Sequence, residues 1–424
     1  MKLLNFLKFR KSKLFKESAA YTVINILVKV VPFLILPIIT RILPKEEVGI
    51  YVLYQAVYLI FVPILTLNLQ NAVMLNFFKL EKEKFKRYFS NSIVLFFLFF
   101  LLITLIIYLF KTQIISIADI PTDAFFILVI IIFSFFFVDL RALLWRNEHK
   151  ILNFGIFQIT LTIVKNVTGL ILIYFYDFNW LGIIYGHLVG YSIYALFALF
   201  SFKKDGLFKF EFEEFSKQSK DALRISVPLS LHKISAWFGS TVNRIIIADK
   251  MGAKFTAKFG IGSTFFTIGT VLFDALNKAY VPALFEKLAL NTRSSLLTIR
   301  KMIFAYYGVI ILITVGLALF GYLTVGIIFG ADYENTKYFL VPLTISAGIN
   351  GLYKIHINFI LFQKKTYLIL IISLIAGVLN IPIAIYLIVN YGLIGAAYAL
   401  LITNTIYYIL SVILSIKTFK SVLC

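Results

Sequence analysis

The sequence predicts an all-α, polytopic membrane protein with about 12 transmembrane helices in two six-helix lobes around a central cavity, both termini being cytoplasmic. Hydrophobic residues occupy 61% of the 424 positions and charged residues only 14%, whereas the apolar share of a soluble domain is about half. This composition indicates an integral membrane protein. The single cysteine, Cys424, excludes an internal disulfide and a cysteine-rich metal site, and we expect no cofactor.

Windows of about 20 residues find the segments long and apolar enough to cross a bilayer. Their approximate bounds are 18–40, 50–72, 90–110, 123–144, 152–175, 181–202, 225–247, 255–277, 302–321, 338–361, 367–389 and 393–415. The basic N-terminal segment precedes an apolar run of full span length without a small-residue cleavage site. We therefore expect a retained first helix rather than a signal peptide.

The basic residues define the expected topology. With a cytoplasmic N-terminus, the inner connections and termini hold 29 of the 41 Lys and Arg residues and the outer connections hold 7. This asymmetry follows the positive-inside rule, so the net charge of +21 gives no reason to expect a nucleic-acid partner. The five remaining bases lie inside spans.

The chain divides at its most polar long interior segment. Residues 203–224 are predicted to be a cytoplasmic linker between an N-lobe, 1–202, and a C-lobe, 225–424. Residues 166–186 and 379–399 share an order of elements: an aliphatic and aromatic helix, a turn with Asn and Gly, and a helix with small residues. Two repeats with an even number of spans share one orientation, and such lobes enclose a central cavity.

Two embedded lysines lie too deep to reach the membrane surface. Lys29 is about 17 Å from the inner end of the first span, counted by helix rise, and Lys165 is about as deep in the fifth, whereas a lysine stem reaches only about 6 Å. A lysine at the bilayer centre costs about 2.5 to 3.5 kcal/mol on the insertion scale. Snorkelling to the surface remains open for Lys233 and Lys354, and an interfacial anchor is favoured for Arg244.

Polar residues recur at helical spacing beside these bases. The stripes are Ser226, Ser230, Lys233, Trp237, Ser240 and Arg244 in the seventh span, Ser263, Thr267, Thr270, Asp274 and Asn277 in the eighth, Thr22, Asn25 and Lys29 in the first, and Gln158, Thr162 and Lys165 in the fifth. Such stripes also serve as helix-packing surfaces. Lysines within them favour a wet interior cavity instead.

The sign of the embedded charges favours an anionic ligand. The predicted spans contain five basic residues and only two acidic ones, Asp139 and Asp274. Lys and Arg bind phosphate strongly where the dielectric constant is low. Asp139 is predicted to be an interfacial partner of Arg141. The candidate ligand-binding residues are therefore Lys29, Asn25, Lys165, Lys233, Arg244 and Lys354.

Three segments carry a resemblance to a known family: ITRILPKEEVGIYVLYQA (39–56), IIFGADYENTKYFLVPLTISAGINGLYK (327–354) and GVLNIPIAIYLIVNYGLIGAAYALLITN (377–404). The chain resembles the polysaccharide-biosynthesis flippases, the Wzx-type O-antigen and capsule transporters of the multidrug/oligosaccharidyl-lipid/polysaccharide (MOP) exporter superfamily, whose fold is MATE-like. The resemblance covers nearly the whole chain in span number and loop placement. Its motifs identify a superfamily better than a substrate.

The resemblance implies a multi-pass protein of the bacterial inner membrane that moves an undecaprenyl-diphosphate-linked oligosaccharide to the outer leaflet by alternating access. Its partners would be that lipid-linked oligosaccharide, membrane lipids and other membrane proteins of polysaccharide assembly. Some such transporters use a proton or sodium gradient, and Asp274 is then the best-placed carboxylate for ion coupling.

Two rival functions remain open from the sequence. A multidrug exporter would need buried carboxylates in the first or seventh span, where this chain has lysines. A polytopic enzyme of polysaccharide assembly, such as a polymerase, ligase or acyltransferase, would need a large outer loop with clustered Arg or His, and the longest outer connection has about fifteen residues.

Overall fold

A computed structural model describes residues 13–118, 120–211, 213–290, 292–363 and 365–418. Within these ranges the chain forms α-helices joined by short turns and one 3-10 helix, with no strand. The helices are α1 Lys13–Ile42, α2 Lys45–Thr66, α3 Leu69–Phe77, α4 Lys82–Leu109, α5 Lys111–Ala118, α6 Thr122–Asn147, α7 Ile151–Tyr176, α8 Leu181–Lys204, α9 Phe215–Ser240, α10 Val242–Met251, α11 Ala253–Leu290, α12 Arg293–Phe329, α13 Lys337–Phe362 and α14 Thr366–Thr418, and the 3-10 helix is Ala331–Thr336.

The helices confirm the predicted fold class. Within the part of the chain that the structure describes, nine are long and apolar enough to cross a membrane. One of them, α14, bends at Gly392, where φ is 60° and ψ is −138°, so it supplies the two last predicted spans. The less apolar α9 and α13 coincide with two further predicted spans. A membrane core offers no water to backbone groups, which is why the spanning segments are helical.

Two predicted spans are interrupted in the structure. The second, 50–72, consists of α2 and α3 with a break at Leu67 and Asn68. The seventh, 225–247, consists of α9 and α10 with a break at Thr241. Neither break contains Gly or Pro, and a hydropathy window of about 20 residues averages over both of them.

The chain forms two compact units. The first unit is Met1–Leu43 with Val57–Lys233, and the second is Pro44–Ala56 with Ile234–Cys424. The units interleave along the chain because the first part of α2 belongs to the second unit. The division into lobes at 202 and 225 stays a prediction.

In the first unit, α7 packs against α8 and α1, and α6 packs against α3, α7 and α8. Gly186 and Gly190 of α8 allow the closest approach: a Cβ on Gly186 would overlap the backbone of Gly169 and Lys165, and one on Gly190 would lie 2.7 Å from Lys165 Cβ. Small residues of this kind let two membrane helices pack backbone against backbone. The position of Lys165 is therefore fixed by this contact.

In the second unit, α13 lies between α11, α12 and α14, and α10 packs against α11 and α14. Phe273, Ala347, Ile355 and Phe359 belong to its buried apolar core. Helix α12 begins with a capping box, in which Ser295 N donates to Thr292 Oγ1 at 3.2 Å and Thr292 N donates to Ser295 Oγ at 2.9 Å. The cap satisfies backbone donors that would otherwise be unpaired at the start of the helix.

Candidate functional site

A break between α2 and α3 creates a polar site inside the first unit. Leu67 and Asn68 adopt left-handed backbone angles, with φ of 47° and 50°. Each such conformation costs about 1 kcal/mol or more in a residue other than Gly. Asn68 N donates to Thr66 Oγ1 at 3.2 Å, and both Thr66 and Asn68 are fully buried. The surrounding packing therefore holds an irregular backbone in place.

The side chain of Asn68 connects this break to the polar stripe of α9. Its Nδ2 donates to Ser230 Oγ at 2.9 Å, and Lys233 Nζ donates a short hydrogen bond to Asn68 Oδ1. Ser230 and Lys233 were predicted to share one helix face. In the structure both side chains are hydrogen-bonded to the side chain of Asn68. The sequence analysis did not single out Asn68, because its neighbourhood contains polar but no charged residues, with Thr66, Gln70 and Asn71 beside it.

The structure corrects the prediction about Asp139, which lies on α6. The predicted partner of Asp139, Arg141, instead forms an ion pair with Asp205 at 2.7 Å. Arg141 and Asp139 are two residues apart on α6, so their side chains point in different directions.

Lys165 is held by the neighbouring helix α8. Its Nζ donates to Tyr191 Oη at 3.3 Å and lies 5.0 Å from the centroid of the same ring. Tyr191 in turn contacts Phe135 of α6 edge to face, with a centroid distance of 5.9 Å. The aromatic face and the hydroxyl stabilise the ammonium group without a carboxylate.

Lys29 and Asn25 are exposed on α1, which packs against α7. Tyr21 meets Phe154 with a centroid distance of 5.3 Å, and the next turn of α1 reaches Gly155. In the predicted topology both helices run outward from the cytoplasm. Lys29 and Lys165 then lie 8 and 11 residues beyond this contact, so the two differ in depth by about 5 Å.

In the second unit, Lys354 and Asp274 form an ion pair. Lys354 Nζ lies 2.6 Å from Asp274 Oδ1 and donates to Thr270 O at 3.4 Å. One helical turn beyond each residue, Asn358 Nδ2 donates to Asn277 Oδ1 at 2.7 Å. From the sequence, Lys354 was predicted to bind the ligand and Asp274 to bind a coupling ion. In the structure these two side chains form an ion pair with each other.

Arg244 lies on the short helix α10, half-buried and under the electrostatic influence of Tyr51. The neighbouring Asn243 is fully buried and accepts a hydrogen bond from Asn380 Nδ2 at 2.9 Å. This amide contact fixes α10 against α14. The contact therefore fixes the backbone position of Arg244, the next residue on α10.

The predicted site residues thus fall into the two units. Lys29, Asn25, Lys165 and Lys233 belong to the first, and Arg244, Lys354 and Asp274 belong to the second. Their assignment to one ligand site stays a prediction. The sequence missed Asn68 and Tyr191, because each is recognisable only from a partner on another helix.

Comparison with known proteins gives a consistent family and fold. A family model described as "Polysaccharide biosynthesis protein" matches residues 14–288. Protein 1 of the Lsg locus of Haemophilus influenzae is 22% identical over 370 residues, covering 84% of this chain and 87% of that protein.

Two solved structures share the fold. The lipid II flippase MurJ in an inward closed conformation gives a TM-score of 0.73 at 18% identity, covering 96% of this chain and 90% of that one. An inward-facing multidrug resistance MATE transporter of the MOP superfamily gives 0.71 at 16% identity, covering 93% and 96%. At these identities the likeness is one of fold.

Proposed function

The chain belongs to the polysaccharide biosynthesis protein family, and from this premise we propose that it is a flippase for lipid-linked oligosaccharides. Its substrate would be an undecaprenyl-diphosphate-linked oligosaccharide, such as an O-antigen or capsule repeat unit. The protein would carry it from the cytoplasmic to the outer leaflet of a bacterial inner membrane. Other membrane proteins of polysaccharide assembly would then receive it there.

The observation that carries this proposal is the pair of embedded lysines on adjoining helices, Lys29 on α1 and Lys165 on α7. Neither is ion-paired to a carboxylate in the described structure, and the two differ in depth by about 5 Å. A diphosphate carries several negative charges over a comparable length. Two ammonium groups in a low-dielectric site would bind it through charge-assisted hydrogen bonds.

Lys233 and Lys354 would contribute in a different way, because each already has a polar partner. Lys354 is ion-paired to Asp274, and Lys233 is hydrogen-bonded to Asn68. A headgroup would have to compete with these partners. Arg244 and Asn25 would supply further donors if the headgroup or its first sugar approaches them.

Alternating access explains how such a site would serve transport. Two lobes of a transporter can rock about a site near the bilayer midplane while the polyprenyl tail stays in the lipid. Asp274 is held by Lys354, so a coupling proton or Na⁺ at that carboxylate would have to displace the lysine. The mechanism would therefore link ion binding to the state of a ligand-binding base.

Leaflet movement in proteoliposomes tests this function. We expect this protein to move a fluorescent undecaprenyl-diphosphate oligosaccharide between leaflets faster than empty vesicles do. A parallel set of vesicles would measure uptake of a cationic dye, the expected activity of a multidrug exporter. Dye uptake without lipid movement, tested with several sugars and ion gradients, would contradict the proposal.

A further inference from the structure

In the second unit, a surface groove between α12 and α13 has an ion pair at its outer end. We propose that this groove binds one phospholipid of the outer leaflet, a zwitterionic lipid with a primary ammonium group such as phosphatidylethanolamine. One acyl chain lies in the groove, the phosphate contacts Lys337 and the ammonium contacts Glu334. This lipid is a resident partner and not the transported substrate, so the inference does not rest on the proposed function.

The groove is apolar and about as deep as one leaflet. Its volume is about 330 Å³, and its accessible surface is wholly apolar among the residues that the structure describes. It is lined by Thr314, Val315, Ala318, Leu319 and Tyr322 of α12 and by Val341 and Ile345 of α13. From Thr314 to Tyr322 a helix rises about 12 Å, close to the half-thickness of about 15 Å of a hydrocarbon core. Tyr322 follows the outer end of the predicted span 302–321, so the groove fits an acyl chain of the outer leaflet.

Helix α12 leaves most of its surface to lipid. Only 11% of its apolar window is buried, the smallest share among the nine spanning helices of the described residues. In the groove itself, Val315 is 52% exposed and Leu319 is 59% exposed. Side chains beside an unfilled gap lose dispersion contacts. A lipid chain in the groove therefore gives α12 apolar contacts that the second unit does not provide.

A basic side chain lies directly above the groove. On α13, Lys337, Val341 and Ile345 are spaced four residues apart, so they share one face of the helix. Lys337 Nζ lies 5.9 Å from the ring centroid of Tyr322 and 5.6 Å from that of Tyr338. Tyrosines are enriched at the level of the lipid headgroups. The ammonium of Lys337 is therefore held at the depth of a lipid phosphate, at the outer end of the groove.

Glu334 adds the opposite charge on the outer side of Lys337. Lys337 Nζ lies 2.7 Å from Glu334 Oε1, and the two side chains are 22% and 57% exposed. Glu334 packs against Gly326 of α12, where a Cβ would lie 3.2 Å from Glu334 Cβ, one turn beyond Tyr322. A phosphatidylethanolamine headgroup has the same order of charges, with its phosphate next to the glycerol and its ammonium farther out. An exposed ion pair contributes little to stability, so the headgroup can replace it with two such contacts.

Native mass spectrometry tests the headgroup contacts. The purified full-length protein is delipidated and incubated with phosphatidylethanolamine or phosphatidylcholine of the same chain length. The wild type should retain phosphatidylethanolamine about threefold better, because a quaternary ammonium cannot donate a hydrogen bond to Glu334. Glu334→Gln should remove this preference. Glu83→Gln is the matched control and should keep it, since Glu83 pairs with Lys86 three residues away at similar exposures of 56% and 19%.

A second variant tests the position of the acyl chain. In Ala318→Phe a phenyl group occupies the groove, because Ala318 lines it. This protein should lose the retained phosphatidylethanolamine that the wild type carries. If Ala318→Phe is not monodisperse on gel filtration, a phosphatidylethanolamine with a photoreactive acyl chain replaces it: cross-links to α12 and α13 of the wild type support the site, and cross-links confined to other helices overturn it.

Three results would overturn the proposal. One is equal retention of the two lipids by the wild type. Another is a preference for phosphatidylethanolamine that persists in Glu334→Gln, which would place the lipid away from this ion pair. The third is stronger retention of phosphatidylglycerol or undecaprenyl phosphate than of phosphatidylethanolamine, which would show that the wild type selects an anionic lipid instead.

Discussion

Three of the embedded lysines differ in the groups that hold them. Lys354 lies 2.6 Å from a carboxylate oxygen of Asp274, and Lys233 is hydrogen-bonded to Asn68. Lys165 instead donates a hydrogen bond to the hydroxyl of Tyr191 and makes a cation–π contact with its ring. A lysine without a paired carboxylate is the better phosphate ligand, since no ion pair has to be broken first.

An ion pair between the start of α2 and the 3-10 helix that joins α12 to α13 gives a prediction about pH. Lys45 Nζ lies 2.6 Å from Asp332 Oδ1. The hydrogen bond from Lys45, with the charges of Lys254 and Lys258, holds the pKa of the Asp332 carboxyl below its usual value. The pair is therefore intact above the ordinary pKa of an aspartate, and it is lost as the pH falls through the lowered pKa of Asp332.

Carbodiimide labelling with peptide mass spectrometry measures this directly, because the reagent reacts with protonated carboxyl groups. In the wild type, labelling of Asp332 should begin only at a pH below the usual range for aspartate. In Lys45→Met it should begin at a higher pH. Lys250→Met, which removes the exposed lysine paired with Asp249, should leave the Asp332 profile unchanged. Identical profiles in the wild type and Lys45→Met would contradict the assignment.

At this scale the sequence predicts which residues are unusual better than it predicts their partners. Lys29 and Lys165 stand out by depth alone, since the length of a lysine stem is known. The contact between Lys233 and Asn68 joins residues 165 positions apart. Periodicity describes one helix at a time, so it cannot identify such a partner.

Among the elements, the contact between α7 and α8 shows how packing positions a functional side chain. Gly169, Gly186 and Gly190 line this contact, and a Cβ on Gly169 would lie 3.0 Å from Ile183 Cα. Backbone atoms meet backbone atoms here, so an added methyl group cannot be accommodated by rotating a side chain. The two helices would have to separate, and Lys165 would move with α7.

Gly186→Ala tests this contact. We expect it to destabilise the protein by about 1 to 3 kcal/mol, because it overpacks a close backbone contact, and to lower the melting temperature in detergent. Gly308→Ala is the matched control, since a Cβ there meets nothing within 4 Å, and its melting temperature should be unchanged or slightly higher. Equal melting temperatures for the wild type and Gly186→Ala would show that the helices tolerate the methyl group.

Hydropathy did not predict the interruptions inside two of the membrane spans. A twenty-residue window predicted single spans at 50–72 and 225–247, and the structure interrupts both. Of the residues at the breaks, Asn68 favours turns and left-handed backbone, but Leu67 and Thr241 do not, and one Asn in an apolar segment does not predict a break. Buried hydrogen bonds such as that between Asn68 and Ser230 hold the first of these breaks, and such tertiary contacts cannot be read from local sequence.

For the whole molecule, composition was sufficient to predict the fold class. A chain that is 61% hydrophobic and divided into segments of span length can satisfy its backbone in lipid only as helices or a closed barrel. The segments are too long and too continuously apolar for strands. The family match over residues 14–288 and the MurJ and MATE folds agree with this prediction.

The central claim for the whole molecule is that an embedded basic side chain binds the diphosphate during transport. Lys29→Gln removes the charge at one of the two deeply embedded candidate positions and should not impair membrane insertion, because it also removes an insertion cost. Lys84→Gln is the matched control: Lys84 lies in the first turn of α4, is 65% exposed and is paired with Glu81.

The most direct measurement is leaflet movement of an undecaprenyl-diphosphate oligosaccharide in proteoliposomes that contain equal amounts of wild-type protein, Lys29→Gln or Lys84→Gln. Loss of a charge-assisted hydrogen bond costs about 1.5 to 3 kcal/mol, so the rate for Lys29→Gln should fall about tenfold or more, while Lys84→Gln should match the wild type. Wild-type movement by a correctly inserted Lys29→Gln protein would contradict the claim that Lys29 binds the diphosphate.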